Sequence, residues 1–241
     1  MRFLTSIALF LASLPLFAQG KVSTRAHRLA DFPDKVTQVV LTGDPVLAAA
    51  LQEEVVSGWT ASAFEFCTLE QFQDRMTSDK YYFLILLDSP GVRYLSLLKG
   101  GPEGADGIGA LHEAASLPLG SDGREFTYLG ALVQAIQEYA LAARESEIAA
   151  YGMEHWFKSR FKRNGKTVLF DADEADEAFL AYNPDAIAGY VAAPANREKG
   201  DLCYKMLFDA ETHCLVYLSR HKMDARHGAG FLPDEIKRLS R

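Results

Sequence analysis

Residues 200–223 read GDLCYKMLFDAETHCLVYLSRHKM, a stretch that holds Cys203, His213, Cys214 and His221. Thiolate and imidazole are the ligands zinc prefers, and two thiols can also close a disulfide. Spacing argues against both. Two apolar runs, LCYKMLF and CLVYLSR, flank residues 209–213. They predict a hairpin with a four-residue loop around a type I turn and with Asp209 paired with Cys214. Phe208 then faces Leu215, Met206 faces Tyr217 and Cys203 faces Arg220; a shorter loop would pair Cys203 with Leu218. Either register separates Cys203 from Cys214 by more than roughly 10 Å at about 3.3 Å per residue. A disulfide needs its Cα atoms within about 7 Å. His213 is expected at the turn and His221 at the far end, facing away from Cys203, so one chain cannot gather these four residues around zinc. The expectation is therefore no metal, no disulfide and no cofactor.

The hairpin keeps one site candidate, its open end, where Arg220, His221 and Lys222 gather, with Lys205 nearer the middle. Solvated strand ends commonly carry such residues for no further purpose. A more suggestive stretch is WFKSRFKRNGK, residues 156–166. Lys158, Arg160, Lys162, Arg163 and Lys166 are interleaved with Trp156, Phe157 and Phe161. Basic residues near a helix C-terminus complement its dipole, and the aromatics can belong to the core. The functional reading is a patch for anionic envelope polymers, lipid headgroups or an acidic protein partner.

Other stretches fall short of the motifs they approach. NGKT at 164–167 lacks the earlier glycine a phosphate-binding loop needs, since position 160 is Arg; a turn into a strand is expected. HEAAS at 112–116 has Ser where a zinc protease has its second His. GADGIGA at 104–110 lacks dinucleotide-binding spacing and is expected as a surface loop. DADEADE at 171–177 lacks the glycine of a calcium loop, and its carboxylates suit a helix start. There is no G-x-S-x-G elbow.

The elements that must position these residues follow from periodicity. KVTQVVLTG at 35–43 predicts a strand. Asp44 and Pro45 cap a helix over 46–59, 63–68 is a strand, 69–76 a helix, and 81–88 and 92–98 are strands around a turn. This β-α-β-α-β-β order implies an α/β fold, with α+β as the alternative, and a mixed sheet. The sheet should be mainly parallel in the N-terminal half, with antiparallel hairpins and helices on both faces. A short strand is placed near 111–117. A long helical pattern runs over 128–161, with Leu129, Leu132, Val133, Ile136, Ala140 and Ala143 as its apolar stripe and Gly152 as an interruption. Lys166 to Phe170 predicts a strand, 174–181 a helix, 185–193 a strand, and 233–239 a last helix. The best boundary between lobes lies near 163–166, but one compact domain over 19–241, built on one sheet, is the expectation; two tightly packed lobes are the alternative.

The segments DPVLAAALQEEVVSGWTASAFEFCTLEQF, YYFLILL and the hairpin stretch together resemble a family of exported bacterial α/β proteins without an assigned function. That resemblance spans most of the chain and implies export and fold class, with no catalytic residues to carry over. Export also follows from the N-terminus. MRFLTSIALFLASLPLFAQG has one Arg, an apolar run and then small residues, the pattern of a secretory signal peptide over 1–18, cut after Ala18 or after Gly20. The protein is thus expected in the periplasm or secreted, with no transmembrane span after cleavage. Hydrophobic residues are 49% and charged residues 24%, ordinary for a chain that can bury a core without staples. The formal charge of −7 argues against nucleic acid as a partner. The function these observations favour is a non-catalytic envelope protein that binds an anionic ligand, polymer or protein partner. An exported hydrolase, with a site assembled from residues distant in sequence, is the alternative.

Overall fold

The computed structural model describes residues 28–41, 43–89, 92–101, 107–120, 122–194 and 199–241. The signal segment over 1–18 and its cleavage point lie outside the described residues, as do residues 104–106 of the GADGIGA stretch. The chain forms an α/β fold. Its strands are β1 (Val36–Val40), β2 (Phe64–Cys67), β3 (Tyr81–Ser89), β4 (Val92–Lys99), β5 (His112–Leu119), β6 (Thr167–Leu169), β7 (Ala186–Ala192), β8 (Leu202–Asp209) and β9 (Leu215–Lys222). Its helices are α1 (Pro45–Gly58), α2 (Leu69–Arg75), α3 (Glu125–Glu145), α4 (Glu147–Ala150), α5 (Met153–Arg160), α6 (Ala172–Leu180) and α7 (Pro233–Leu239). No helix among the described residues is long and apolar enough to cross a membrane.

Two mixed sheets are present in place of the single sheet expected. The first has the order β2-β1-β3-β4-β5, the second β6-β7-β8-β9. In the first, β1 pairs parallel with β2 and β3, while β4 pairs antiparallel with β3 and β5. Parallel pairing therefore does not dominate the N-terminal half. The reason is local. Crossover helices α1 and α2 enforce parallel pairs, whereas only two residues separate β3 from β4, which forces an antiparallel pair there. In the second sheet only β6–β7 is parallel.

Local sequence accounts for the helix ends. Asp44 accepts hydrogen bonds from the Val46 and Leu47 amides at 3.0 and 3.2 Å, and Pro45 opens α1 without wasting a donor. Thr68 and Gln71 form a reciprocal capping box on α2. Asp171 caps α6 through the amides of Asp173 and Glu174, so the acidic run serves a helix start.

Helix α3 joins the two sheets. Leu129, Leu132, Val133, Ile136, Ala140 and Ala143 are all buried in one core with Leu84, Leu95 and Leu117 of the first sheet and with Tyr190, Met206 and Phe208 of the second. Tyr128 stacks at 4.5–5.0 Å on Phe179, Tyr190 and Phe208. Its hydroxyl donates to Asp176, which also takes a bidentate pair from Arg124. On the opposite face of the first sheet, Phe72 of α2 packs edge-on against Phe83. Burying that ring contributes about 1.5–3 kcal/mol. On the outer face of the second sheet, Leu239 of α7 packs with Ile187, Leu207 and Tyr217.

The hairpin β8–β9 keeps part of the expected register. The Asp209 amide donates to the Cys214 carbonyl, and Phe208 faces Leu215. Beyond that pair the ladder shifts by one, because Val216 is an extra residue in β9. Met206 faces Leu218 rather than Tyr217. Cys203 faces His221 rather than Arg220, and Arg220 faces Tyr204. The bulge turns Arg220 and His221 to the faces opposite those expected, since a one-residue slip inverts every later side chain.

Candidate functional site

A cleft opens where β4 and β5 of the first sheet approach β8 and β9 of the second. It comprises two hollows of about 200 and 450 Å³ that share Glu113, Ser116, Tyr204 and Arg220. Tyr94 donates its hydroxyl to Tyr204 Oη across the sheets at 3.0 Å. Burial pushes the Tyr94 phenol above its ordinary pKa, and the bond to Tyr204 pushes it further, so it stays neutral. The Oγ atoms of Ser96 and Ser116 lie 2.8 Å apart, side by side on β4 and β5.

The two charged residues common to both hollows reach the cleft by the same device. In β5 the ladder pairs Glu113 with Leu98 and then Ala115 with Leu97, leaving Ala114 as an extra residue. Strict alternation would put Glu113 and Ser116 on opposite faces. The bulge places both beside Ser96 on the cleft side. In β9 the bulge at Val216 does the same for Arg220, which then shares a face with Tyr204, Met206 and Leu218. Bulges commonly re-aim a side chain beside a binding site.

Arg220 is held by Glu154 of α5, with Nε 3.3 Å from Oε2. Its terminal amino groups make no hydrogen bond among the described residues. A guanidinium with its outer edge unused is suited to clasp a carboxylate or phosphate bidentately. Glu113 is exposed and has no hydrogen bond or ion pair among the described residues, whereas Asp88, also at the rim, is taken by Arg93 at 2.8 Å. Tyr139, Met153, Pro118 and Leu218 supply apolar wall.

The other residues singled out in the sequence lie elsewhere. Lys205 is buried, 1% exposed, and donates to Glu235 of α7 on the far side of the sheet. His221 shares that far face; its Nε2 donates to the Gly228 carbonyl at 2.9 Å. Lys222 is exposed at the strand end opposite Leu202. Thus the structure separates Arg220 from Lys205 and His221.

In the 156–166 stretch, Trp156 and Phe157 are core residues. Arg160 is exposed, stacks 4.2 Å over the Trp156 ring and lies 3.7 Å from Glu138. Lys158 and Lys162 are exposed and Arg163 half-buried, with no ion pair among the described residues. Lys166 is neutralised by Asp209 at 2.6 Å and Glu211 at 3.1 Å. Arg163–Lys166 itself forms the turn into β6, with Asn164 and Gly165 at positive φ. Arg160 and Lys162 rim a separate hollow of about 310 Å³ with Cys214 and Val216.

Cys67, Cys203 and Cys214 form no disulfide, and no group of three metal-ligating side chains exists among the described residues. The sequence offered no signal for Tyr94, Ser96, Ser116 or Tyr204 as site residues. Glu113 stood out only inside the failed zinc motif. In comparisons with protein-family models, with curated proteins and with solved structures, nothing matches this chain.

Proposed function

We propose that the protein is an exported, non-catalytic envelope protein that binds the acidic group of a small ligand in the cleft between its two sheets, with Arg220 as the anchoring cation. The single observation that carries this reading is Arg220 itself. A bulge turns it into a walled hollow, Glu154 fixes its stem side, and its terminal amino groups are left available. A hollow of this size lined by apolar wall and a few convergent polar groups is the usual form of a small-molecule site. Export rests on the signal-like N-terminus, and a periplasmic or secreted setting goes with it.

The basic face of Lys158, Arg160, Lys162 and Arg163 offers a weaker second contact for an anionic polymer or an acidic protein. Its aromatic partner Trp156 is used up in the core, so stacking on a ligand contributes nothing there. The hydrolase reading finds less support in the cleft. Of its three lining serines, Ser96 and Ser116 bond each other, and Ser219 donates to Glu235, which is already taken by Lys205 on the far side of the sheet, so none has a free base beside it.

Saturation-transfer NMR of the purified protein with small carboxylates, hydroxyacids, inorganic phosphate and free dipeptides tests the proposal. At least one should contact the protein, and Arg220→Ala should abolish that contact. Contacts that survive Arg220→Ala unchanged, or no contact at all, overturn it.

A further inference from the structure

The charges of the cleft specify more than an acidic ligand. Glu113 and Arg220 line both hollows; Glu113 makes no ion pair among the described residues, and Arg220 pairs only with Glu154. Asp88 is neutralised by Arg93, which leaves Glu113, Glu154 and Arg220 as the charges a ligand meets. A simple anion would satisfy Arg220 but meet Glu113, and desolvating that carboxylate beside a like charge is unfavourable. A simple cation would satisfy Glu113 and leave Arg220 to Glu154 alone. A neutral polyol would use neither charge. A ligand with an anionic and a cationic end pairs with both.

We infer that the cleft binds a zwitterion, with the ligand carboxylate on the outer edge of Arg220 and a protonated amine on Glu113. This inference rests on the Arg220 reading above and extends it. The two hollows join through their four shared residues, Glu113 and Arg220 among them, with Tyr94 lining one hollow and Tyr139, Pro118 and Leu218 as apolar wall of the other. The combined space suits a short peptide with both termini free, since a single amino acid would leave one hollow empty. The hydroxyls of Ser116 and Tyr204, which line both hollows, supply donors for a peptide carbonyl.

Titration calorimetry with three probes tests this on the unaltered protein: alanyl-alanine, N-acetyl-alanyl-alanine and alanyl-alanine amide. The free dipeptide should bind tightest, and blocking either end should weaken binding at least ten-fold. Glu113→Gln should remove most of the difference between free and N-acetylated probe. Arg220→Ala should remove the difference between acid and amide. If the N-acetylated probe binds as tightly as the free one, the zwitterion inference falls while the Arg220 reading stands. If the amide binds as tightly as the acid, both fall. If no dipeptide binds, the inference falls, and the carboxylate screen decides the Arg220 reading by itself.

Discussion

Tyr94 of β4 donates a hydrogen bond to Tyr204 of β8 at 3.0 Å, a side-chain tie between two sheets whose contact is mainly apolar packing around α3. The rings meet edge to face at 5.8 Å. Tyr94→Phe or Tyr204→Phe should each cost about 0.5–1.5 kcal/mol, the net worth of one partly buried hydrogen bond. The double variant should cost less than the sum of the two, because the second deletion removes a bond already lost. Urea unfolding of the four proteins measures the coupling, and strict additivity would show that the tie contributes nothing.

Lys205 and Glu235 behave as a structural clamp. Lys205 is almost wholly buried, and Glu235 also accepts from the Leu232 amide at 3.1 Å and from Ser219 at 3.3 Å. Burial alone would raise the Glu235 pKa, but Lys205 and these donors hold it below its ordinary value. Lys205→Met leaves that carboxylate without its cation and should destabilise by about 3–5 kcal/mol. The double variant Lys205→Met, Glu235→Leu should be much closer to the parent, because no charge is then stranded. Chemical denaturation of both variants checks the ordering.

Two glycines should respond to alanine with opposite signs. At Gly189 in β7 a Cβ would lie 2.6 Å from the Leu169 carbonyl oxygen of the neighbouring strand, and backbone cannot yield cheaply. Gly189→Ala should cost about 1–3 kcal/mol. At Gly130, in the interior of α3, a Cβ would meet only the carboxylate tip of Glu54. That side chain is half-buried, and burial already raises its pKa, so turning it to water relieves a penalty. Gly130→Ala should be neutral or stabilise by up to about 1 kcal/mol through helix propensity. Thermal unfolding midpoints of the two variants should move in opposite directions, or Gly130→Ala should not move at all.

Acid should loosen the N-terminal corner. Burial raises the Asp31 pKa, but pairing with Lys35 and Lys99 and a hydrogen bond from Tyr82 prevail and lower it to about 2. A carboxylate with a depressed folded pKa contributes stability that is fully present above its unfolded value of about 3.9 and is lost as pH falls toward the folded value. The window is therefore pH 4 to 2. Since the carboxylate is 37% exposed, solvent screening limits the effect to about 1 kcal/mol. Asp31→Asn should flatten that part of the stability profile, measured by urea midpoints between pH 5 and 2.5.

The elements were legible where periodicity is strong. The cap at Asp44 and the apolar stripe of α3 mark their helices in the sequence, and the apolar run of β8 marks a strand. What escaped was of another kind. In the sequence Lys205 looks like a potential ligand group, because its partner lies 30 residues away on α7 and no local pattern announces a buried ion pair. The cleft escaped because its walls come from two sheets whose separation is a tertiary outcome of α3 packing. Arg220 was named, but on the wrong face, and Glu113 was weighed only against zinc. Both errors come from a bulge, whose extra residue leaves no mark in hydrophobic patterning.

That last point has an evolutionary side. Glu113 and Arg220 owe their orientation to one surplus residue each, Ala114 and Val216. A single in-frame codon loss at either place would swing the charge to the opposite side of its sheet, while every polar side chain of the cleft kept its identity. A site of this construction is gained or lost by insertion and deletion, so tracing its history among relatives means counting residues between Leu111 and Ser116, and between Cys214 and Arg220, before comparing which residues they are.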